Sequence, residues 1–267
     1  MSSPAGDSDD LLSVFVGGHD SGRRRAGVID SPHMILSLLP VPLLVVAVFL
    51  LLRAETQTPR NRRQIKLWKP LSTSLIIVVA ALSFAQPTHV PLYSIFILTG
   101  LALSLAGDWL LIDSDERPAL FVSGLMAFLL AHVAYIFAFA YAQIVRGTPF
   151  DLNRAALAAA VLAILGGVVY FYLRPSLGNL HQPVLLYMTV ISLMVHQALS
   201  GVQIGGGLLA QPALAMGGAL LFYISDFILA INRFVFGGEG ENNNSIWVLS
   251  TYYCAQLFIA LSASFVR

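Results

Sequence analysis

Residues 91–112 read PLYSIFILTGLALSLAGDWLLI, and this stretch decides the fold. It runs 22 residues with one charged side chain, Asp108, between Pro91 and the acidic break Asp113-Ser114-Asp115-Glu116. A helix rises about 1.5 Å per residue, so the stretch is long enough to cross the roughly 30 Å hydrocarbon layer of a bilayer. Working outward, the same kind of apolar run recurs at 34–52, 70–86, 119–144, 154–173, 183–202, 211–234 and 246–266. The first is ended by Arg53 and the second by Gln86-Pro87. No run alternates apolar and polar residues with period two, which excludes a β-barrel. The expectation is an all-α, polytopic membrane protein of eight transmembrane helices, with both termini on one side.

Composition agrees. Of 267 residues, 57% are hydrophobic and 11% charged, against roughly 25% charged in soluble domains. A soluble globule with so few charges lacks the means to cover its own surface. Fifteen basic and 14 acidic residues leave a net charge of +1, so nothing favours nucleic acid as a partner. The single cysteine, Cys254, excludes an intrachain disulfide and a cysteine-based zinc site.

Residues 1–33 differ from the rest. The opening MSSPAGDSDD is small and polar, and Arg23-Arg24-Arg25 precedes Asp30-Ser31-Pro32. The apolar run Leu11–Val16 is too short for a signal-peptide core. This segment reads as a disordered polar tail without a cleavable signal, ahead of the eight-helix domain 34–267. Orientation follows from the basic residues. Six lie in the first loop (Arg53, Arg60, Arg62, Arg63, Lys66, Lys69), and Arg117, Arg174 and Arg233 fall on the same side. Six others, three of them in the tail, fall opposite. The bias favours a cytosolic first loop.

A charge at the bilayer centre costs about 2.5–3.5 kcal/mol or more, and such residues mark function by default. Only two acids fall within the expected spans, Asp108 after Gly107 and Asp226 after Ser225. The third and seventh helices run in the same direction. Asp108 lies 17 residues after Pro91 and Asp226 lies 15 after Gln211, which puts the carboxylates at similar depths, able to share one cavity. The alternative is local pairing, for instance Asp226 with Arg233. His132 and His196 are the histidines inside spans, and Tyr135 shares the helix face of His132. A metal site built on both histidines and an aspartate stays open, though no spacing typical of zinc ligands occurs. For His196 alone an interhelical hydrogen bond suffices. Gln256 follows Tyr252 by one turn, with helix–helix hydrogen bonding as its simpler role. Phe121, Tyr141, Phe171 and Tyr172 near span ends read as interfacial anchors. Gly201 and Gly205 have GxxxG spacing at a helix end, a packing or turn signal.

Taken in order, Lys69-Pro70-Leu71, Gly107-Asp108, Gly124…Phe128…Ala131-His132…Tyr135, Ser225-Asp226-Phe227 and Tyr252-Tyr253-Cys254-Ala255-Gln256 resemble the YhhN/TMEM86 family, the lysoplasmalogenase-like membrane proteins. The resemblance covers about residues 34–267. It implies eight transmembrane helices and hydrolysis of the vinyl ether bond of lysoplasmalogens, giving a fatty aldehyde and glycerophosphocholine or glycerophosphoethanolamine. The family's motif positions carry over to Asp108, His132, Tyr135, Asp226 and Gln256.

Vinyl ether hydrolysis begins with protonation of an alkene carbon, giving an oxocarbenium ion that water attacks. It needs an acid and a stabilising anion. Two carboxylates in one low-dielectric cavity supply both, because they cannot both ionise cheaply; glycosidases use paired carboxylates for similar cations. The catalytic candidates are Asp108, Asp226 and His132. The substrate-binding candidates are Tyr135, Tyr252, Gln256, and Lys69 and Arg233 for the phosphate. The expected partners are a lysophospholipid substrate and the lipid bilayer, and the reading invokes no cofactor and no metal. A transporter with a polar site at the bilayer midplane is the rival class.

Overall fold

The computed structural model describes residues 36–57, 60–87, 89–203, 209–237 and 243–266. The helices belong to the compact unit Pro32–Arg267. The expected tail, and Gly205 of the GxxxG spacing, lie outside the described residues. Eight long helices follow in order: α1 Val41–Glu55, α2 Arg62–Ala81, α3 Pro91–Ile112, α4 Pro118–Val145, α5 Leu152–Leu173, α6 His181–Ser200, α7 Ala210–Phe234 and α8 Asn243–Ser262. Eight helical segments are long and apolar enough to cross a bilayer, and the described residues contain no strand. The chain is a multi-pass integral membrane protein of the all-α class.

Helix starts follow local chemistry. Pro91 and Pro118 open α3 and α4, where a missing N–H leaves no bond unmade. Asp151 caps α5 by accepting from the Arg154 N–H at 3.1 Å, so this helix begins at Leu152, slightly before the expected 154. The largest departure is α2, which starts at Arg62 and not at residue 70. Asn61 accepts from the Gln64 N–H at 3.2 Å and caps it. The cationic turns ahead of Pro70 were read as loop; they are helix, with Pro70 in the interior. They are paired with acids from the α3–α4 loop, Arg62 with Glu116 at 2.8 Å and Lys66 with Asp113 at 2.9 Å. These pairs place the α1–α2 and α3–α4 loops at one end of the bundle.

The most extensive packing joins α3 to α4 and α7 to α8, while α8 also touches α1, α2 and α3. α4 and α8 are the most buried helices and α5 the least, so α4 and α8 form the centre and α5 faces lipid. Two glycines set helix spacing. The Phe128 ring of α4 lies over Gly107, where a Cβ would come within 2.6 Å of it, and a Cβ on Gly218 would come within 2.9 Å of the Ala255 carbonyl of α8. Close approach of this kind stands in for the hydrophobic drive that lipid does not supply. Of the expected anchors, Phe171 and Tyr172 are exposed, but Phe121 is buried. It packs edge-on against Phe234 and under the Arg233 guanidinium.

Candidate active site

Asp108 and Asp226 line one cavity of about 240 Å³. Around Asp108, α2 and α8 close from two sides. Thr73 Oγ1 donates to Oδ2 at 2.5 Å and Tyr252 Oη donates to the same oxygen at 2.8 Å. Lys69 Nζ stands 3.6 Å from Oδ1. Lys69 and Thr73 are one helical turn apart, so a single face of α2 presents both. The carboxylate thus meets one cation and two hydroxyl donors.

Asp226 is held differently. Tyr187 Oη of α6 donates to its Oδ2 in a short hydrogen bond, and His132 Nε2 of α4 lies 3.9 Å away. Neither ring nitrogen of His132 has a hydrogen-bond partner among the described residues. The imidazole is instead packed edge-to-face on Phe222 and Tyr187, with ring centroids 4.6 and 5.4 Å apart. The local alternative for Asp226 does not form: Arg233 pairs with Asp115 at 2.7 Å.

Behind Asp108 runs a buried chain of polar groups. Gln256 Nε2 donates to Tyr252 Oη at 3.2 Å, and Tyr135 Oη donates to Gln256 Oε1 at 2.8 Å. His132, Tyr135 and Gln256 are fully enclosed and lie outside the cavity lining. Tyr135 and Gln256, expected to bind substrate, meet the cavity only through the hydrogen bond that Gln256 donates to Tyr252. Lys69 lines the cavity, with its ammonium beside Asp108. Arg233 lines the cavity at its charged end, beside Glu55, Arg60 and Asp115. His196 makes the expected interhelical hydrogen bond, to the Ala155 carbonyl at 3.0 Å. With His196 so engaged, the two histidines do not converge, and no group of three metal-ligating side chains occurs among the described residues.

Sequence reasoning missed Thr73 beside Asp108 and, in the cavity lining, Tyr187, Glu55 and Arg60. Thr73 carried no signal, since a hydroxyl in an apolar run is common. Tyr187 carried no signal, since a tyrosine near a helix start reads as an anchor. Glu55 fell outside the expected first span because Arg53 was taken as its end, and Arg60 was one cation among six in a loop. The apolar part of the lining includes Val169, Leu173, Met188 and Phe227, and Ser114, Tyr223, Ser225, Asn232 and Ser245 add polar atoms. The cavity is thus amphipathic: the ion-paired side chains gather at one end, and the two aspartates share the wall with apolar side chains of α5, α6 and α7.

Comparison with known proteins agrees with this architecture. The chain is 35% identical to lysoplasmalogenase TMEM86A of Bos taurus over 178 residues, 66% of this chain and 67% of that protein. It is 35% identical to the Homo sapiens protein of the same name over 169 residues, 62% of this chain and 64% of that one, just under two thirds. A lysoplasmalogenase of Mycobacterium tuberculosis is 32% identical over 195 residues, 73% of this chain and 69% of its own length. No solved structure matches. The YhhN family profile matches residues 64–263, a stretch that takes in Lys69, both intramembrane aspartates, His132 and the Tyr252–Gln256 pair; the chain belongs to the YhhN family.

Proposed function

We propose that this protein is a lysoplasmalogenase, an ether hydrolase that cleaves the vinyl ether bond of a 1-alkenyl lysophospholipid within the membrane. The observation that carries the reading is that two intramembrane carboxylates with unequal surroundings line one amphipathic cavity. The names of the relatives support the substrate class. The cavity's charged end suits a phosphate headgroup, and its apolar side suits the alkenyl chain.

In this reading Asp226, which has one phenol donor and, among the described residues, no basic group within ion-pair distance other than the His132 imidazole at 3.9 Å, is the protonated general acid. Asp108, with Lys69, Thr73 and Tyr252 around it, is the anion. Asp226 delivers its proton to the alkene carbon distal to the ether oxygen, and the C=C electrons form the new C–H bond. The resulting oxocarbenium ion is stabilised by Asp108. Water adds to the cationic carbon, its proton passing to the Asp226 carboxylate, which restores the acid. The hemiacetal hydroxyl then gives its proton to the ether oxygen by way of the Asp226 carboxyl as the bond to that oxygen breaks and the carbonyl forms, releasing the fatty aldehyde and glycerophosphocholine or glycerophosphoethanolamine. Tyr187 fixes the Asp226 carboxyl, and His132 packs edge-to-face on Tyr187. Tyr135 and Gln256 fix Tyr252.

The test is aldehyde release by the purified protein from a 1-alkenyl lysophospholipid and from its 1-acyl ester analogue. The reading expects aldehyde from the first and no hydrolysis of the second. Equal turnover of the ester, or none of the alkenyl ether, contradicts it.

A further inference from the structure

The charged end of the cavity is built from four side chains on three segments. Glu55 closes α1, Arg60 follows it, Asp115 lies in the α3–α4 loop and Arg233 in the last turn of α7. Arg60 reaches Glu55 at 2.6 Å and Asp115 at 3.4 Å, and Arg233 reaches Asp115 at 2.7 Å. Two cations and two anions alternate, so the array is neutral. Arg60 and Asp115 are exposed, whereas Glu55 is only 6% exposed.

We infer that this array is the headgroup subsite, and that Glu55 with Asp115 selects a phosphate ester bearing a primary ammonium over one bearing a trimethylated ammonium. The inference rests on the function proposed above. A neutral, alternating array exchanges partners with a zwitterion without stranding a charge. Phosphate goes to the guanidiniums, which match it in a bidentate manner, and the ammonium goes to the carboxylates. A headgroup ending in bare phosphate brings negative charge only and leaves both acids uncompensated. The choice between ammonium types follows from donor chemistry. A primary ammonium has three N–H donors for carboxylates, while a quaternary one has none and is recognised by aromatic faces.

At this end the aromatic face is already taken. The Arg233 guanidinium lies 4.8 Å above the Phe121 ring. Glu55 offers the opposite. Its Oε2, held 2.6 Å from the Arg60 guanidinium at the cavity wall, passes to an ammonium donor when that guanidinium turns to the phosphate.

The experiment gives the full-length protein three substrates with one alkenyl chain and different ends: phosphoethanolamine, phosphocholine and bare phosphate. Aldehyde release yields kcat/KM for each. The wild-type protein is expected to favour phosphoethanolamine over the other two by about tenfold, the scale of one charge-assisted hydrogen bond. Glu55→Gln is expected to lower the phosphoethanolamine value about tenfold while leaving phosphocholine within about twofold. Equal wild-type values for ethanolamine and choline overturn the inference. So does a Glu55→Gln variant that lowers both in the same proportion. Should Glu55→Gln fail to fold, the wild-type ranking and the exposed-site variant Asp115→Asn decide, the latter expected to narrow the preference. Aldehyde from none of the three substrates overturns the hydrolase reading itself, whereas aldehyde from all three without preference overturns the subsite alone.

Discussion

Tyr252 on α8 donates to Asp108 on α3 at 2.8 Å, and its oxygen accepts in turn from Gln256 at 3.2 Å. One phenol thus ties the central helix to an intramembrane carboxylate. It hands on the orientation set by Tyr135, whose hydroxyl donates to Gln256 at 2.8 Å. Removing links of this chain is expected to have graded effects. Tyr252→Phe deletes a direct donor to Asp108 and lowers kcat about tenfold. Tyr135→Phe acts two bonds away and lowers it less. A larger loss from Tyr135→Phe contradicts this order.

Both carboxylates are needed in the proposed reaction, in different roles. Asp226→Asn removes the proton donor and Asp108→Asn removes the anion. Each is expected to lower the rate of aldehyde release by about 10²-fold or more, the range for a general acid or a charge-stabilising group. Near-normal turnover in either variant removes that residue from the mechanism.

Lys69 is expected at the substrate phosphate, and its ammonium also stands 3.6 Å from Asp108, which suggests a second role in holding that carboxylate. The two roles have different kinetic signatures. Lys69→Met is expected to lower kcat with little change in KM, because it weakens the anion and not the grip on phosphate. Steady-state kinetics over a range of substrate concentrations separates the cases; a raised KM at constant kcat returns Lys69 to the phosphate.

The eight spans were legible because apolar length is a property of the chain alone, as 91–112 demonstrates by matching α3. The start of α2 was not: its Asn61 cap is local, but the acids of the α3–α4 loop that pair with Arg62 and Lys66 are remote in sequence. Asp108 and Asp226 were legible since charge inside a span is rare. Their partners Thr73 and Tyr187 were not, because a hydroxyl in an apolar run is common and only packing shows which one meets a carboxylate. Gln256 and Tyr135 were picked out as polar residues at depth, but not as a layer behind the cavity. That distinction depends on which way each helix is turned.

The glycines of the bundle make a prediction about stability. A methyl at Gly218 would stand 2.9 Å from the Ala255 carbonyl and 2.7 Å from Ile259, whereas Gly167 has nothing within 4 Å. Gly218→Ala is expected to destabilise the α7–α8 pair by about 1–3 kcal/mol. Gly167→Ala is expected to be neutral or to stabilise by up to about 1 kcal/mol through helix propensity. Thermal unfolding in detergent checks both, and a neutral Gly218→Ala contradicts the close packing of α7 on α8.

The account's central claim is that an enzyme acid protonates the alkene carbon of a vinyl ether. Turnover of a 1-alkenyl lysophospholipid in D2O, with the aldehyde trapped as it forms and weighed by mass spectrometry, reads that step directly. The account predicts one solvent deuterium on the carbon next to the carbonyl in the wild-type product, and loss of product in Asp226→Asn. Aldehyde without deuterium at that carbon, or no aldehyde at all, contradicts it.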